Sequence, residues 1–182
     1  STEGQSVTFV YVDGTEGWKN VQDSTSNIIG NPFLSATGGT ITTSGNCKIH
    51  TFTGPGTFTV SNASATAAEN LVSYMVVAGG GGGGGDYGSA SAAGGAGAGG
   101  FRELVSPSAP YSASPLNGYP SAPNRVTVTA AAFPITVGAG GAGGNAPPSP
   151  DQTGIPGSNS IFSTITSAGG GGGGEAFDTV NV

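Results

Sequence analysis

The chain has 182 residues, of which 36 are Gly and 12 Pro; only 8% are charged, and the net charge is −6. Average proteins carry roughly 25% charged residues and about 7% Gly, so this is no ordinary globular composition. Four scattered cations, Lys19, Lys48, Arg102 and Arg125, cannot replace the counterions of a nucleic acid, and the glycines lack the Gly-X-Y period of collagen.

Low charge also argues against solvated disorder. The apolar residues are Val, Ile, Phe and Tyr in short runs, which suits strands. No apolar run approaches the roughly 20 residues of a membrane helix, and no secretory signal opens the chain, which reads as a piece of a longer or processed protein. The single Cys47 leaves no internal disulfide to form and reads as an inert, half-buried thiol.

In chain order, residues 5–21 predict a β-hairpin. Val7, Phe9 and Tyr11 alternate with Thr8, Val10 and Val12; residues 13–17 supply the turn, and Trp18 and Val21 resume the apolar pattern. Residues 23–39 read as a polar connector punctuated by Asn31, Pro32, Gly38 and Gly39, and mark a domain boundary. A second hairpin follows, its β-branched stretches 40–43 and 48–53 split by Ser44, Gly45 and Asn46. Beyond the Gly54, Pro55, Gly56 turn comes a strand over 58–61. Residues 71–78 form a mostly apolar run long enough for a buried central strand. Further strands are predicted over 125–130, 134–137 and 160–167. Helix signals are nearly absent, and the Ala-rich patch 63–70 gives a helical turn at most.

The most informative feature is a loose repeat in which a strand runs into glycine. Residues 74–78 lead into 79–85, residues 134–137 into 138–144, and residues 165–168 into 169–174. A fourth tract, 94–100, mixes Gly and Ala. If the three strands share one sheet and one direction, the tracts leave from one edge. Ordering glycine costs roughly 0.5–1 kcal/mol per residue relative to Ala. Two states are physically sensible: mobile linkers, or extended three-residue-per-turn chains lying side by side, each supplying hydrogen-bond partners to the next.

Catalytic chemistry is poorly supported. No Lys-Ser or Lys-Thr follows a glycine tract, so there is no phosphate-binding P-loop, and dinucleotide-like spacings are worthless in so glycine-dense a chain. His50 is the only histidine and reads as a strand residue; no Gly-x-Ser-x-Gly elbow follows a strand. One His, one Cys and unclustered carboxylates offer no metal site. The residues singled out for binding are Tyr87, Phe101, Arg102, Tyr111 and Tyr119. They stand in a loop-like stretch, 86–124, of Gly, Ser, Ala and Pro, the composition of recognition surfaces. The alternative is that these aromatics staple the loop to the sheet.

The stretch from Val7 to Trp18, Val-Thr-Phe-Val-Tyr-Val-Asp-Gly-Thr-Glu-Gly-Trp, resembles the closing hairpin of a β-repeat unit in bacteriophage tail fibres, particularly those of marine phages. The motifs at 48–54, 57–60, 75–78 with its glycines, and 159–169 resemble the glycine-rich domain that follows such units. The resemblance implies a tail-fibre or receptor-binding protein, often trimeric, located in the virion and working outside the host. Some phage adhesins also hold their glycine tracts as packed polyglycine II helices, although this chain has fewer tracts and a clear strand before each.

Together these readings predict an all-β fold, an antiparallel β-sandwich-like domain with long glycine-rich loops, polyglycine II packing being one state of its tracts. Residues 1–39 are the end of an upstream β fibre unit with its connector, and 40–182 the glycine-rich β domain, incomplete at its C-terminal end. The expected partners are a host surface glycan or outer-membrane protein, two further copies in a homotrimer, and other virion tail proteins; no nucleic acid, membrane insertion or cofactor is expected, and no enzyme activity. Two other functions fit less well: a secreted glycine-rich matrix or filament protein, and an ice-binding protein, which needs a regular Thr or Ala array that the spacing does not offer.

Overall fold

The structure is a computed structural model that describes residues 7–11, 18–23, 33–85, 93–145 and 153–175. Its regular elements are strands and two short 3-10 turns. Strands β1 (Val7–Tyr11) and β2 (Trp18–Asp23) pair antiparallel, with a bulge between Thr8 and Phe9. This is the predicted hairpin; its turn, 13–17, lies outside the described residues.

A five-stranded antiparallel sheet carries the core. It uses β3 (Ser35–Thr37), β6 (Gly56–Asn62), β9 (Ala132–Thr136), β10 (Ser160–Phe162) and β11 (Ile165–Ser167), in the order β11-β10-β9-β6-β3. The end of the predicted connector therefore contributes a strand. Two ribbons complete the fold: β4 (Thr40–Ser44) with β5 (Cys47–Thr51), and β7 (Tyr74–Val77) with β8 (Phe101–Leu104). Gly45, with φ 55°, takes the turn position of the first ribbon that needs positive φ. The segment read as one strand over 160–167 is the hairpin β10–β11, and Ser163 turns it at φ 54°.

Period-two alternation decides what is buried. On β6, Phe58 and Val60 face inward, where they join Val126, Val128, Phe162 and Ile165. Phe162 stands at the middle of an edge-to-face ring cluster, with centroids 6.2 Å from Phe58, 6.0 Å from Tyr74 and 6.4 Å from Phe133. His50 belongs to this framework. Its Nδ1 donates to the Gly38 carbonyl at 2.8 Å, and its ring meets Phe58 edge-on at 5.0 Å.

The β7–β8 ribbon lies across β10 and β11. Tyr74 and Val76 pack against the core, and the Tyr74 hydroxyl donates to the Asn124 carbonyl at 2.7 Å. The run 71–78 is thus not a central strand. Only Tyr74–Val77 is strand, and among the described residues β8 is its sole strand partner. Its outer face is open, leaving Met75 68% and Val77 50% exposed. The strand expected over 125–130 reduces to a bridge between Thr127 and Leu71, flanked by bonds from Val72 N–H to the Val126 carbonyl and from Val128 N–H to the Asn70 carbonyl. The Ala-rich patch gives the single 3-10 turn Ala67–Asn70, fixed by two bonds between Asn70 and Ser64.

Both β9 and β11 run antiparallel to β10, so they point the same way and leave from one edge. The third glycine-leading strand, β7, belongs to the facing ribbon instead.

Two outcomes follow from this packing. A left-handed Ser costs about 1–2 kcal/mol that Gly avoids, offset by roughly 0.5–1 kcal/mol of glycine entropy; Ser163→Gly should therefore raise the melting temperature slightly, and a fall would contradict the turn geometry. Burial pushes the Tyr74 hydroxyl above its ordinary value of 10.0, with Arg102 pulling the other way. Its neutral-state contribution is intact below the unfolded value and is lost as pH rises through the folded one. Tyr74→Phe should cost about 1 kcal/mol at neutral pH and flatten the alkaline loss of stability in pH-dependent denaturation.

Candidate functional site

Five extended tracts leave or enter the sheets: tract 1 (78–85) after β7, tract 2 (93–100) before β8, tract 3 (137–145) after β9, tract 4 (153–159) before β10 and tract 5 (168–175) after β11. They run out, back, out, back and out. Their backbone bonds are lateral and recur every third residue. From tract 1 to tract 2 the bonds are Ala78 N–H to the Gly100 carbonyl, Gly81 to Gly97 and Gly84 to Gly94, at 2.9–3.0 Å. Gly79 and Gly82 donate to Ser158 and Ile155 of tract 4; their carbonyls accept from Gly170 and Gly173 of tract 5. The carbonyls of Gly80 and Gly83 accept from Gly141 and Gly144 of tract 3. That three-residue recurrence is the signature of a polyglycine II bundle. Tract 1 is its centre.

The outer tracts bond each other in sequence. Tract 2 donates to tract 5 from Gly94, Gly97 and Gly100; tract 4 donates to tract 5 from Gly154 and Gly157, and to tract 3 from Ile155 and Ser158. The neighbours β9-β10-β11 thus continue as tracts 3-4-5, and β7–β8 as tracts 1-2. Facing sheets normally stand about 10 Å apart, separated by side chains. Here the layers close to hydrogen-bonding distance because the side chains are gone.

Glycine is required where the layers meet. A Cβ on Gly79 would stand 2.0 Å from the Ala139 carbonyl oxygen, on Gly82 1.9 Å from that of Ala142, and on Gly154 1.9 Å from that of Gly82. Other positions are free: a Cβ on Gly83 would have no atom closer than 4.0 Å. Sequence reading missed tract 4, since only Gly154 and Gly157 mark it. The available signal was their spacing of three, together with Pro156, whose missing N–H falls between the donors Ile155 and Gly157.

Small polar side chains make the junction between sheet and bundle. Ser160 Oγ accepts from the Gly138 N–H at 2.9 Å, Asn159 Oδ1 accepts from Gly169 at 2.9 Å, and Ser167 Oγ donates to the Val76 carbonyl at 2.7 Å. Ser160 and Ser167 are buried. They satisfy backbone groups at the point where the sheet ladder ends and the bundle begins.

The family model of the glycine-rich domain matches residues 51–181. The chain belongs to the glycine-rich domain family. No curated protein and no solved structure matches it.

The glycine-rich domain separates the residues predicted for binding. Tyr87 lies outside the described residues, and its flanking residues Gly85 and Ala93 are at the bundle end remote from the sheets. From Gly94 to Phe101 the chain advances about 22 Å at the rise of such a helix, so Phe101 stands at the other end of the bundle, beside the sheets. Phe101 is 40% exposed on the outer face of β8, opposite Val77 and on the same face as Met75. Neither of those two was singled out, because 71–78 read as buried. Arg102 is opposite Val76, on the other face of the ribbon. Tyr111 is exposed in the following loop. Tyr119 is a staple: the Arg125 guanidinium sits 4.4 Å over its ring, and Arg125 Nε donates to its carbonyl at 3.0 Å. The same loop is tied to β8 by the Ser114 hydroxyl donating to the Glu103 carboxylate and by Gly118 N–H to the Glu103 carbonyl. Among the described residues no group of three or more His, Cys, Asp or Glu could hold a metal ion, and no helix is long and apolar enough to cross a membrane.

The far end of the bundle is the other place where the fold gathers separate parts of the chain. Gly84 bonds Gly94, Gly94 bonds Gly174, Gly144 bonds Gly83 and Gly154 bonds Gly173. The chain thus leaves and re-enters the bundle at 85 and 93, at 145 and 153, and leaves again at 175, all at one end.

The three-residue period gives a sharp contrast between neighbouring glycines. Gly82→Ala should destabilise by roughly 3 kcal/mol or more, at the upper end of overpacking, while Gly83→Ala should change stability little. Melting temperatures of the two variants in dilute solution check this; equal effects would contradict the bundle register.

Proposed function

We propose that this glycine-rich domain is a structural and receptor-binding module of a bacteriophage tail fibre, supporting adhesion to the host cell surface, and not an enzyme. The observation that carries the reading is the far end of the bundle. A β base holds a stiff rod of about 20 Å, and three separate parts of the chain leave the rod together. Loops held on a rigid scaffold are where proteins place recognition. The segments leaving there differ in composition: 86–92 holds Asp86 and Tyr87, and 146–152 holds Pro147, Pro148 and Pro150. The likeness of the 7–18 hairpin and the later strand motifs to marine-phage tail fibres supplies the context.

On this reading the receptor is a host surface glycan or outer-membrane protein, and the working form is a homotrimer in the virion, joined to other tail proteins. The contact residues proposed are Tyr87, in the segment between Gly85 and Ala93, with Phe101 and Tyr111 on the base. Tyr119 holds the loop.

The test is binding of the labelled full chain to a panel of bacterial cells. Replacing 86–92 by an equal length of Gly and Ser should abolish binding and leave the melting temperature unchanged. A compact monomer by light scattering, with no binding to any cell of the panel, would sink the proposal.

A further inference from the structure

In a chain with three residues per turn, successive N–H groups point about 120° apart and the carbonyls point between them. Tract 1 has partners on only part of its circumference. Its N–H groups at 79 and 82 face tract 4 and those at 81 and 84 face tract 2; its carbonyls at 79 and 82 face tract 5 and those at 80 and 83 face tract 3. What is left are the N–H groups of Gly80 and Gly83 and the carbonyls of Gly81 and Gly84, none of which has a partner among the described residues. By the helical turn they point to the remaining side, between tracts 3 and 2, where no described tract stands. Tract 3 runs parallel to tract 1. Its carbonyls at 141 and 144 are therefore disposed as those of 81 and 84 are, and they too lack a partner among the described residues. One flank of the bundle thus presents donors from tract 1 beside acceptors from tract 3, repeating every third residue.

That flank is also free of side chains. Gly80, Gly83, Gly140 and Gly143 have room for a Cβ as far as their own chain is concerned, the nearest atoms being 3.6–4.0 Å away. Tract 3 places its alanines, Ala139 and Ala142, at exposed positions in another phase of the turn. Spare room also exists at Gly95, Gly171 and Gly174, so missing side chains alone do not single out this flank. Their coincidence with two unpartnered backbone rows does.

We propose that this flank is an open position in the bundle, filled by an extended glycine tract from a second copy of this chain. The surface offers uncharged N–H and C=O groups with a three-residue repeat. An occupant must return acceptors to tract 1 and donors to tract 3 with the same repeat. It must also approach so closely that a Cβ would collide, as it would at Gly82 or Gly154. An ordinary β strand satisfies neither condition; another polyglycine II tract satisfies both, as tracts 2 to 5 do around tract 1. The inference rests on the bundle geometry and not on the fibre reading, so a failure to bind cells leaves it untouched.

Sedimentation velocity of the full chain over a range of concentrations tests it, comparing the wild type with G140V/G143V, which fills the flank, and with A139V/A142V, which adds the same bulk elsewhere on tract 3. The wild type and A139V/A142V should associate alike, and G140V/G143V should associate about tenfold or more weakly at an unchanged melting temperature. If G140V/G143V does not fold, G140A/G143A replaces it with the same expectation. A wild type that stays monomeric at every concentration overturns the proposal, as does a folded G140V/G143V or G140A/G143A that associates like the wild type. A monomeric wild type that associates once residues 176–182 are removed overturns it in favour of the chain's own C-terminal segment.

Discussion

The lateral backbone hydrogen bond between glycine tracts is the interaction on which the rest depends. It is individually modest, about 1 kcal/mol net, and it must offset the large entropy of ordering glycine. It succeeds here by cooperation. Tract 1 is bonded to four neighbours, and its residues 79 and 82 use both donor and acceptor. No tract could hold this conformation alone, because the extended helix has no bonds of its own. The bundle is a tertiary structure without secondary structure beneath it.

The β base exists in a form that serves this bundle. The ring cluster around Phe162 fixes the β7–β8 ribbon over β10 and β11, which sets tract 1 opposite tracts 3, 4 and 5. The buried serines 160 and 167 and the exposed Asn159 then manage the change of spacing. A larger apolar residue there would keep the layers apart; a smaller one would leave backbone groups unsatisfied. The exposed apolar face of Met75, Val77 and Phe101 stays on the base, away from the end where the chain leaves the rod. The fold therefore puts the exposed apolar face and the exits of the chain at opposite ends of the bundle, and the functional proposal starts from that separation.

Much of this was legible in the sequence. Alternation at Val7, Phe9 and Tyr11 and at Phe58 and Val60 marked strands; Gly45 marked a turn; the passage from Val77 and Ala78 into glycine marked the place where a strand ends. What could not be read was which strands face each other. The run 71–78 has the apolar density of a central strand, yet among the described residues its only strand partner is β8, because the chain needs a two-stranded ribbon to deliver tracts 1 and 2. Tyr119 and Phe101 looked alike in a loop of small residues; contact with Arg125 makes one a staple, and position on β8 exposes the other.

The sequence by itself determined that the protein is all-β and that three of its glycine tracts follow strands. Those properties depend on local pattern and composition, which a single chain carries openly. Only the tertiary structure decided that the tracts pack, that tract 4 with just Gly154 and Gly157 belongs among them, and that β7 leads its tract out of the facing layer. The reason is physical. A residue without a side chain has no preference for its own conformation, so the partners across the bundle decide what a glycine tract becomes.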